Sequence, residues 1–520
     1  MLQLHRIDRL LPALFFAALL LIGIFIYKDY GIAWDEPQQR RLGLATWDYV
    51  TGTNDDLLHT DNLYHNPFTE LLAVLPEKIF HPDGERAIYK SRHLFNFIFC
   101  WVGLIFFYLL ALRIFRDYHY AILSCILFLL TPRLFAHCFY NSKDLPFLFL
   151  FVTSIFCLLS WLQHPSWKNM LWMALSSGAA TGGRILGIMI PVLALLAFLI
   201  SVGQRKMGWK EGKMMAAYLL LYPVLAYIFF PTIWQNPATG FYEVLKFMSH
   251  FASDVATYFM GVTTHSLNTP WYYIPVWMGI IIPLGWWLFF ITGMIALLVT
   301  IIKKRSVFVS VNWLIIIVWL MLPPIVIIVL HSSVYDDGRH LFFTYPPFLL
   351  IAVYGIRSLL QKSISGSKFF QLFVPAGAVS VFLITTIYVM VFMIRFHPYQ
   401  YVFFNAIGRK YAADYFEKDY WGLSYRSALE WLVKSDRSDQ INVCWKVDPC
   451  EWNLAWLNNY DRQRIHQVHY DHCDYYITNY RTHHPADASD EKIYEVNVQA
   501  FTIVAVYKMH PPNATPTSLP

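Results

Sequence analysis

Charge is what this chain has least of. Asp, Glu, Lys and Arg make up 14% of its 520 residues, against about 25% in an ordinary soluble domain. Hydrophobic residues take 57%, and mean hydropathy is +0.41. A single water-soluble domain is excluded; a polytopic membrane protein is implied. Other absences narrow the chemistry. There is no Walker-type phosphate loop and no G-x-G-x-x-G after a strand-like run. There is no C-x-x-C pair at zinc spacing and no G-x-S-x-G elbow. No 20–50-residue repeat and no low-complexity tract appears. The net charge of +6 says little, because Lys and Arg fall at the ends of apolar runs; no nucleic-acid partner is expected. The first apolar run lacks a small-residue cleavage site, so it reads as a retained anchor.

Aromatics are plentiful at 18%, more than lipid-facing helices need. Seven cysteines are present. Cys100, Cys125, Cys138 and Cys157 lie in or beside apolar runs and read as packing residues. Cys444, Cys450 and Cys473 lie in the polar C-terminal part, where one disulfide with one thiol left over is expected.

Read at about 20 residues per crossing, the chain predicts about 11 transmembrane helices. The basic start, His5, Arg6 and Arg9, keeps the N-terminus cytoplasmic, so Leu10–Tyr27 runs outward. Residues 28–90 form a long external loop with an amphipathic piece, Pro67–Phe80. Leu94–Leu112 returns, His119–Ala136 goes out, and Leu145–Leu162 comes back. Residues 169–203 are broken at Gly182-Gly183-Arg184. Lys168 and the basic stretch 204–213 flank that run, so it is read as two short spans hinged near Arg184. Met214–Phe230 leads to a second external loop, 231–271. Four more spans follow: Tyr272–Ile302, Val309–Leu330, Leu341–Ile356 and Phe369–Ile394. The odd count leaves the C-terminal part external. Residues 1–400 are thus a membrane domain, 410–510 a small extracytoplasmic α/β domain, and 511–520 a disordered tail. The α/β reading rests on a helix at Ser424–Val433 and strands at Ile441–Val447, Asp474–Asn479, Ile493–Val498 and Ala500–Tyr507.

Ionisable residues gather at span ends on the external side. Asp35 and Glu36 follow the first span, where a helix start at Asp35 is the plain reading and a base or metal site the functional one. His59, His65, Arg86, Lys90 and Arg92 close the first loop. Arg133, His137, Lys143 and Asp144 flank the next, Arg184 sits in the break, and Asp336, Asp337, Arg339 and His340 form the last turn. Acids mixed with several cations suggest a phosphate-bearing ligand beside a base or a metal. About half of these cations are assigned to snorkelling at span ends.

In their order these pieces resemble the GT-C-fold membrane glycosyltransferases, specifically the protein O-mannosyltransferase and aminoarabinose transferase superfamily. Asp35-Glu36-Pro37 stands where that family has its first acidic motif. His65-Asn66-Pro67-Phe68 is similar to its His-Pro-Pro-Leu element, with Asn in place of one Pro. Arg92 opens the second span, and Asn141-Ser-Lys-Asp144-Leu-Pro resembles the second acidic position. Pro270-Trp-Tyr-Tyr-Ile-Pro275 and Gly338-Arg339-His340 resemble two further elements. The resemblance spans about residues 10–360 and leaves the region after 410 aside.

It implies an inverting transfer of a sugar from a polyprenyl-phosphate donor to a glycan, lipid or protein acceptor, within membrane lipids. Asp35 is then the base, Glu36 its orienter, and Asp144 the second acid; these three are also the ligands if a divalent metal ion takes part. Arg92, Lys90, Lys143 and Arg339, in that order, are the phosphate candidates. His65, Arg184, His340 and Tyr272 are further site residues. The location implied is a bacterial inner membrane, with the site facing the periplasm. Two other classes compete. A secondary transporter explains the spans and the broken element but not the long first loop. A receptor sensing through its C-terminal domain leaves the loop acids idle.

Overall fold

A computed structural model describes residues 6–60, 63–65, 67–237, 239–249, 254–303, 311–362, 368–481 and 491–509. The expected disordered tail and Asn66 of the His-Asn-Pro-Phe element lie outside the described residues. Helices dominate to Arg395: α1 Arg6–Ile26, α2 Glu36–Val50, α3 Pro67–Phe80, α4 Gly84–Phe115, α5 Tyr118–Leu129, α6 Pro132–Tyr140, α7 Asp144–Gln163, α8 Trp167–Gly183, α9 Met189–Gly203, α10 Trp209–Ile228, α11 Gly240–Ser249, α12 Tyr273–Ile281, α13 Leu284–Lys303, α14 Val311–Val329, α15 Tyr345–Lys362 and α16 Lys368–Arg395.

Among the described residues, seven helices are long and apolar enough to cross a membrane, eight if the bent pair α5–α6 counts as one span. α1 adds a shorter apolar run, Leu10–Ile26. The chain is an integral, multi-pass membrane protein, but the count of 11 is not reproduced. The reasons are local. The expected span His119–Ala136 is two helices bent by 75°. Thr131 before Pro132 is extended, as a residue preceding proline tends to be. The run 272–302 breaks between Ile281 and Leu284, beside Pro283. α10 carries Lys210, Glu211 and Lys213 in its first turns, too polar for the bilayer core.

Two features position the site. α4 has 32 residues, roughly 48 Å, against a bilayer core of about 30 Å. Its first turns, with Arg92 and His93, therefore stand beyond the apolar slab. The break at Arg184 falls where the sequence put it, with Arg184 extended (φ −156°, ψ 140°) between α8 and a short 3-10 turn. Glycine is required at 182, where a Cβ would lie 2.2 Å from the Phe229 carbonyl oxygen.

The expected external loops contain regular elements among their described residues. In the second, β1 (Ala256–Phe259) and β2 (Val262–His265) form an antiparallel hairpin. Its turn residues Met260 and Gly261 both have positive φ, the two-residue geometry that matches strand twist. In the C-terminal part, β3 (Ile441–Cys444), β4 (Ile465–Gln467), β5 (Tyr475–Thr478), β6 (Glu491–Val498) and β7 (Phe501–Lys508) form one sheet. Its order is β4-β3-β5-β7-β6, parallel at β4-β3-β5 and antiparallel beyond. β4, only three residues long, is the strand the sequence did not reveal. The helix Tyr425–Ser435 packs Leu429 and Leu432 onto Ile441, Val443 and Val504. Cys444 and Cys473 are disulfide-bonded, and Cys450 is a buried free thiol. Phe501 and Ile503 join the core of the membrane helices, so the sheet sits directly on them.

Candidate active site

The site starts at the short segment between α1 and α2. Asp35 occupies the N-cap position of α2 but makes no capping hydrogen bond. Glu36 instead folds back on the segment before the helix, its Oε2 accepting from the Ala33 backbone N–H at 2.8 Å. Glu36 also meets His93 Nε2 of α4 at 3.0 Å, and both are buried. The two adjacent acids thus part company: Glu36 is tied to α4, and Asp35 turns to Arg339. Asp35 Oδ2 lies 2.8 Å from Arg339 Nη1 and keeps 21% of its side chain exposed, while Arg339 keeps 2%.

Arg339 is the hub. The same Nη1 lies 3.4 Å from Asp144 Oδ2, and Nη2 lies 3.2 Å from Asp336 Oδ2. Its guanidinium stacks over Trp421 at 4.6 Å. Three consecutive residues with positive φ build its turn: Asp336 (48°), Asp337 (56°) and Gly338 (74°). Such backbone costs about 1–3 kcal/mol per non-glycine residue. The chain therefore fans its side chains apart: Asp336 goes to Arg339, while Asp337 goes to the buried Arg133 at 2.7 Å.

Asp144 is positioned by its own turn. Asn141 Oδ1 accepts from the Lys143 and Asp144 backbone N–H groups at 3.1 and 2.8 Å. Asn141 Nδ2 donates to Asp144 Oδ2 at 2.9 Å. The other oxygen of Asp144 meets Arg184 Nη2 at 2.6 Å. Asp35 and Asp144 therefore share one arginine nitrogen, and the four expected residues Asp35, Asp144, Arg184 and Arg339 form one cluster.

Lys143 faces Asp35, Arg339, Arg184 and Asp144 but has no carboxylate within ion-pair distance among the described residues. Burial, with the two arginines, outweighs the acids and lowers its amine to about 8. Burial pushes the Asp35 carboxyl up, but Arg339 and then Lys143 more than offset it, so Asp35 stays ionised below the usual carboxylate range. Burial first, and the cations Lys143 and Arg184 second, hold His65 down at about 3, hence neutral. His340 joins the cluster, edge-on to Tyr335 at 4.7 Å and facing Arg184 and Arg339.

Four expected residues are not brought there: Glu36 is held by His93 instead of orienting Asp35, and three more lie elsewhere. Arg92 is taken up by Glu70 at 3.0 Å, both fully buried, with Ser142 donating to the other Glu70 oxygen at 2.7 Å. Lys90 faces Arg86, Arg426 and Lys28 instead. Tyr272 is exposed, and its neighbour Tyr273 is the buried one. The expected metal set does not fit either. Asp35 and Asp144 are engaged by arginines and Glu36 by His93. Among the described residues no three His, Cys, Asp or Glu are grouped to hold an ion.

The C-terminal part contributes side chains that no local sequence pattern marks. Arg481, just after β5, reaches Asp336 Oδ1 at 3.0 Å and stacks on Trp34 at 4.6 Å. It also donates to the Tyr420 carbonyl at 2.6 Å and lies 3.8 Å from Glu417. Asn453 clamps the Asp35 segment: its Oδ1 accepts from Ile32 N–H and its Nδ2 donates to Ile32 C=O, both at 2.9 Å. Trp34 N–H donates to the Trp421 carbonyl at 3.0 Å. No local signal marks Arg481, Asn453 or Trp421, since their partners are remote in the chain: Asp336 is 145 residues from Arg481, and Ile32 is 421 residues from Asn453.

Residues 65–234 match the family described as dolichyl-phosphate-mannose-protein mannosyltransferase. The solved structure of ArnT from Cupriavidus metallidurans in the apo state matches with a TM-score of 0.52 at 14% identity, over 95% of this chain and 97% of that one. This chain has the GT-C fold. ArnT bound to undecaprenyl phosphate matches over the same shares at 14% identity and a TM-score of 0.49. The apo oligosaccharyltransferase of Archaeoglobus fulgidus also gives 0.49, at 11% identity, over 86% of this chain and 64% of that one. No curated protein matches by sequence. The family match takes in Asp144 and Arg184 of this GT-C-fold chain but stops short of Asp35 and Arg339. The whole-length likeness to ArnT extends to the C-terminal sheet, which the sequence resemblance left aside.

Proposed function

We propose that the protein is an inverting glycosyltransferase that moves a sugar from a polyprenyl-phosphate donor to an acceptor hydroxyl on the extracytoplasmic face. The observation that carries this reading is Asp35: an ionised carboxylate, partly exposed, held on a buried arginine beside Lys143, which has no carboxylate within ion-pair distance among the described residues. The mannosyltransferase family match and the ArnT-like fold support the donor class.

Asp35 takes the proton of the acceptor hydroxyl as its oxygen attacks the anomeric carbon. The bond from that carbon to the phosphate oxygen breaks on the opposite face, and the polyprenyl phosphate leaves with the electron pair. Lys143 supplies the cation for that leaving phosphate, and Arg339 and Arg184 hold the two acids in place. Asp144 fixes Arg339 and Arg184 relative to each other. Each step is carried by a side chain of this chain. The external orientation, the periplasm if the host is bacterial, is supported by the disulfide between Cys444 and Cys473, on the same side as Arg481. The acceptor is a hydroxyl of a glycan, a lipid or a protein.

The test is Asp35→Asn in the full chain, assayed with a radiolabelled polyprenyl-phosphate sugar and membrane extract as acceptor. The variant should insert and fold normally and lose turnover by two to four orders of magnitude. Full turnover in Asp35→Asn would overturn the assignment.

A further inference from the structure

The outer end of the last span carries a second site, away from the acid–arginine cluster. A cavity of about 320 Å³ is lined by Tyr388, Phe392, Arg395, Phe396, Arg409 and Gln499. Its walls come from three separate parts of the chain. The first is α16, the least covered of the membrane-spanning helices: only 17% of its apolar window is buried, so most of it faces lipid. The second is the segment 404–409, and the third is the turn between β6 and β7.

The segment carrying Arg409 is built, not loose. Asn405 is buried, and its Nδ2 donates to the Gly279 and Ile282 carbonyls at 2.6 and 2.8 Å. Its Oδ1 accepts from the backbone N–H groups of Ile407 and Gly408, each at 3.0 Å. Gly408 is pressed onto α12, where a Cβ would lie 2.7 Å from Ile280. Gln499 fastens the turn by donating to the Phe404 carbonyl at 2.7 Å. Arg409 is thereby presented to the cavity opposite Arg395, whose guanidinium lies 5.3 Å from the Phe396 ring centre.

Two arginines thus share one cavity, and neither has a carboxylate within ion-pair distance among the described residues. Snorkelling accounts for Arg395, which ends a span. It does not account for Arg409, which the chain brings back to the same place after leaving the membrane. Below them the wall is apolar, formed by Tyr388, Val391 and Phe392 of α16, and Ile387 and Ile394 are exposed on the same helix, as is Ile407 two residues before Arg409. Paired cations above an acyl-width apolar strip are the complement of a phosphodiester carrying hydrocarbon tails.

We propose that this groove is a binding site for an anionic diacyl phospholipid of the outer leaflet, its phosphate between Arg395 and Arg409 and one chain along α16. The lipid bridges the last span to the C-terminal sheet through the Gln499 turn. The site is separate from the proposed transfer reaction, and its test reads lipid binding alone, so either can fail without the other.

The test is native mass spectrometry of the full-length protein titrated with dioleoyl-phosphatidylglycerol, dioleoyl-phosphatidylcholine or inorganic phosphate. Two cations predict roughly a 10- to 30-fold preference for phosphatidylglycerol over phosphatidylcholine at one site. Arg395→Gln/Arg409→Gln should lose that preference, and Arg395→Lys/Arg409→Lys should retain most of it. Lys410→Gln, which removes a neighbouring charge outside the cavity, should behave as wild type. No preference in the wild type, an unchanged preference in the double glutamine variant, or equal occupancy by inorganic phosphate would each overturn the proposal. Should the glutamine pair fail to fold, the wild-type preference and the lysine pair still decide it.

Discussion

Arg481→Ala is the sharpest probe of how the C-terminal part acts on the site. The residue keeps 13% of its side chain exposed, and Asp336 keeps 7%, so their 3.0 Å pair is largely shielded from water. Breaking a buried pair by removing one partner costs about 3–5 kcal/mol. Asp336 retains Arg339 at 3.2 Å, which places the expected loss at or just below that range's lower end, about 2–3 kcal/mol. The effect on turnover has a separate origin. With Arg481 gone, Asp336 has Arg339 alone and competes for it with Asp35 and Asp144. Trp34, next to Asp35 in the chain, loses the guanidinium stacked on it. Displacement of reacting groups by about 1 Å is worth roughly 100-fold, so turnover should fall by about 10- to 100-fold. Arg481→Lys keeps the charge but loses the planar stack and should recover only part of it. The assays are steady-state transfer by the purified full chain and its thermal midpoint in the same detergent. Wild-type turnover together with a wild-type midpoint in Arg481→Ala would refute the coupling of the C-terminal part to the charge cluster.

Other outcomes follow from the same geometry. Lys143→Met should cut turnover by about 100-fold while leaving the midpoint unchanged or raised, because a desolvated, unpaired ammonium is removed; a lower midpoint would contradict this. The pH dependence has a definite sign. Lys143 is charged below about 8 and loses its proton above it, so turnover should fall as pH rises through 8, and Lys143→Arg should remove that limb. Stability should move the other way: the unfolded lysine holds its proton to about 10.5, so the unfolded state binds more protons between 8 and 10.5, and stability rises with pH there. His65 is neutral at all pH values above about 4, so His65→Gln should leave the shape of the rate profile between pH 5 and 7 unchanged. Asn453→Ala removes both bonds to Ile32 and should cost about 1–3 kcal/mol in stability, and hydrogen exchange should rise at Ile32 and Trp34; unchanged exchange would refute the clamp.

Periodicity and charge placement carried the sequence reading as far as local physics reaches. Long apolar runs with little charge require membrane helices, because unpaired charge and open backbone are costly in lipid. Cations beside those runs supplied only an expected direction for each crossing, and Gly182-Gly183 before Arg184 marked a break that the structure contains. The acids and arginines of the cluster were legible for the same reason: ionised groups at span ends stand out against an apolar background. Bends were not legible. Thr131-Pro132 reads like any proline in an apolar run, and the 75° size of the corner it makes is seen only in the structure.

Partnership was decided by tertiary structure alone. Asp35 and Glu36 are neighbours of the same chemistry, yet one faces Arg339 and the other His93, because the chain enters α2 with their side chains pointing apart. Read from the sequence, Arg92 ranks ahead of Lys143 for a phosphate, but the buried Glu70 pairs with the first, and no carboxylate pairs with the second among the described residues. Arg481 and Asn453 reach the site across some 150 to 420 residues of chain. A charge can be read one residue at a time; what cancels it depends on which distant segment packs against it, and that is fixed only when the helices and the sheet close on each other.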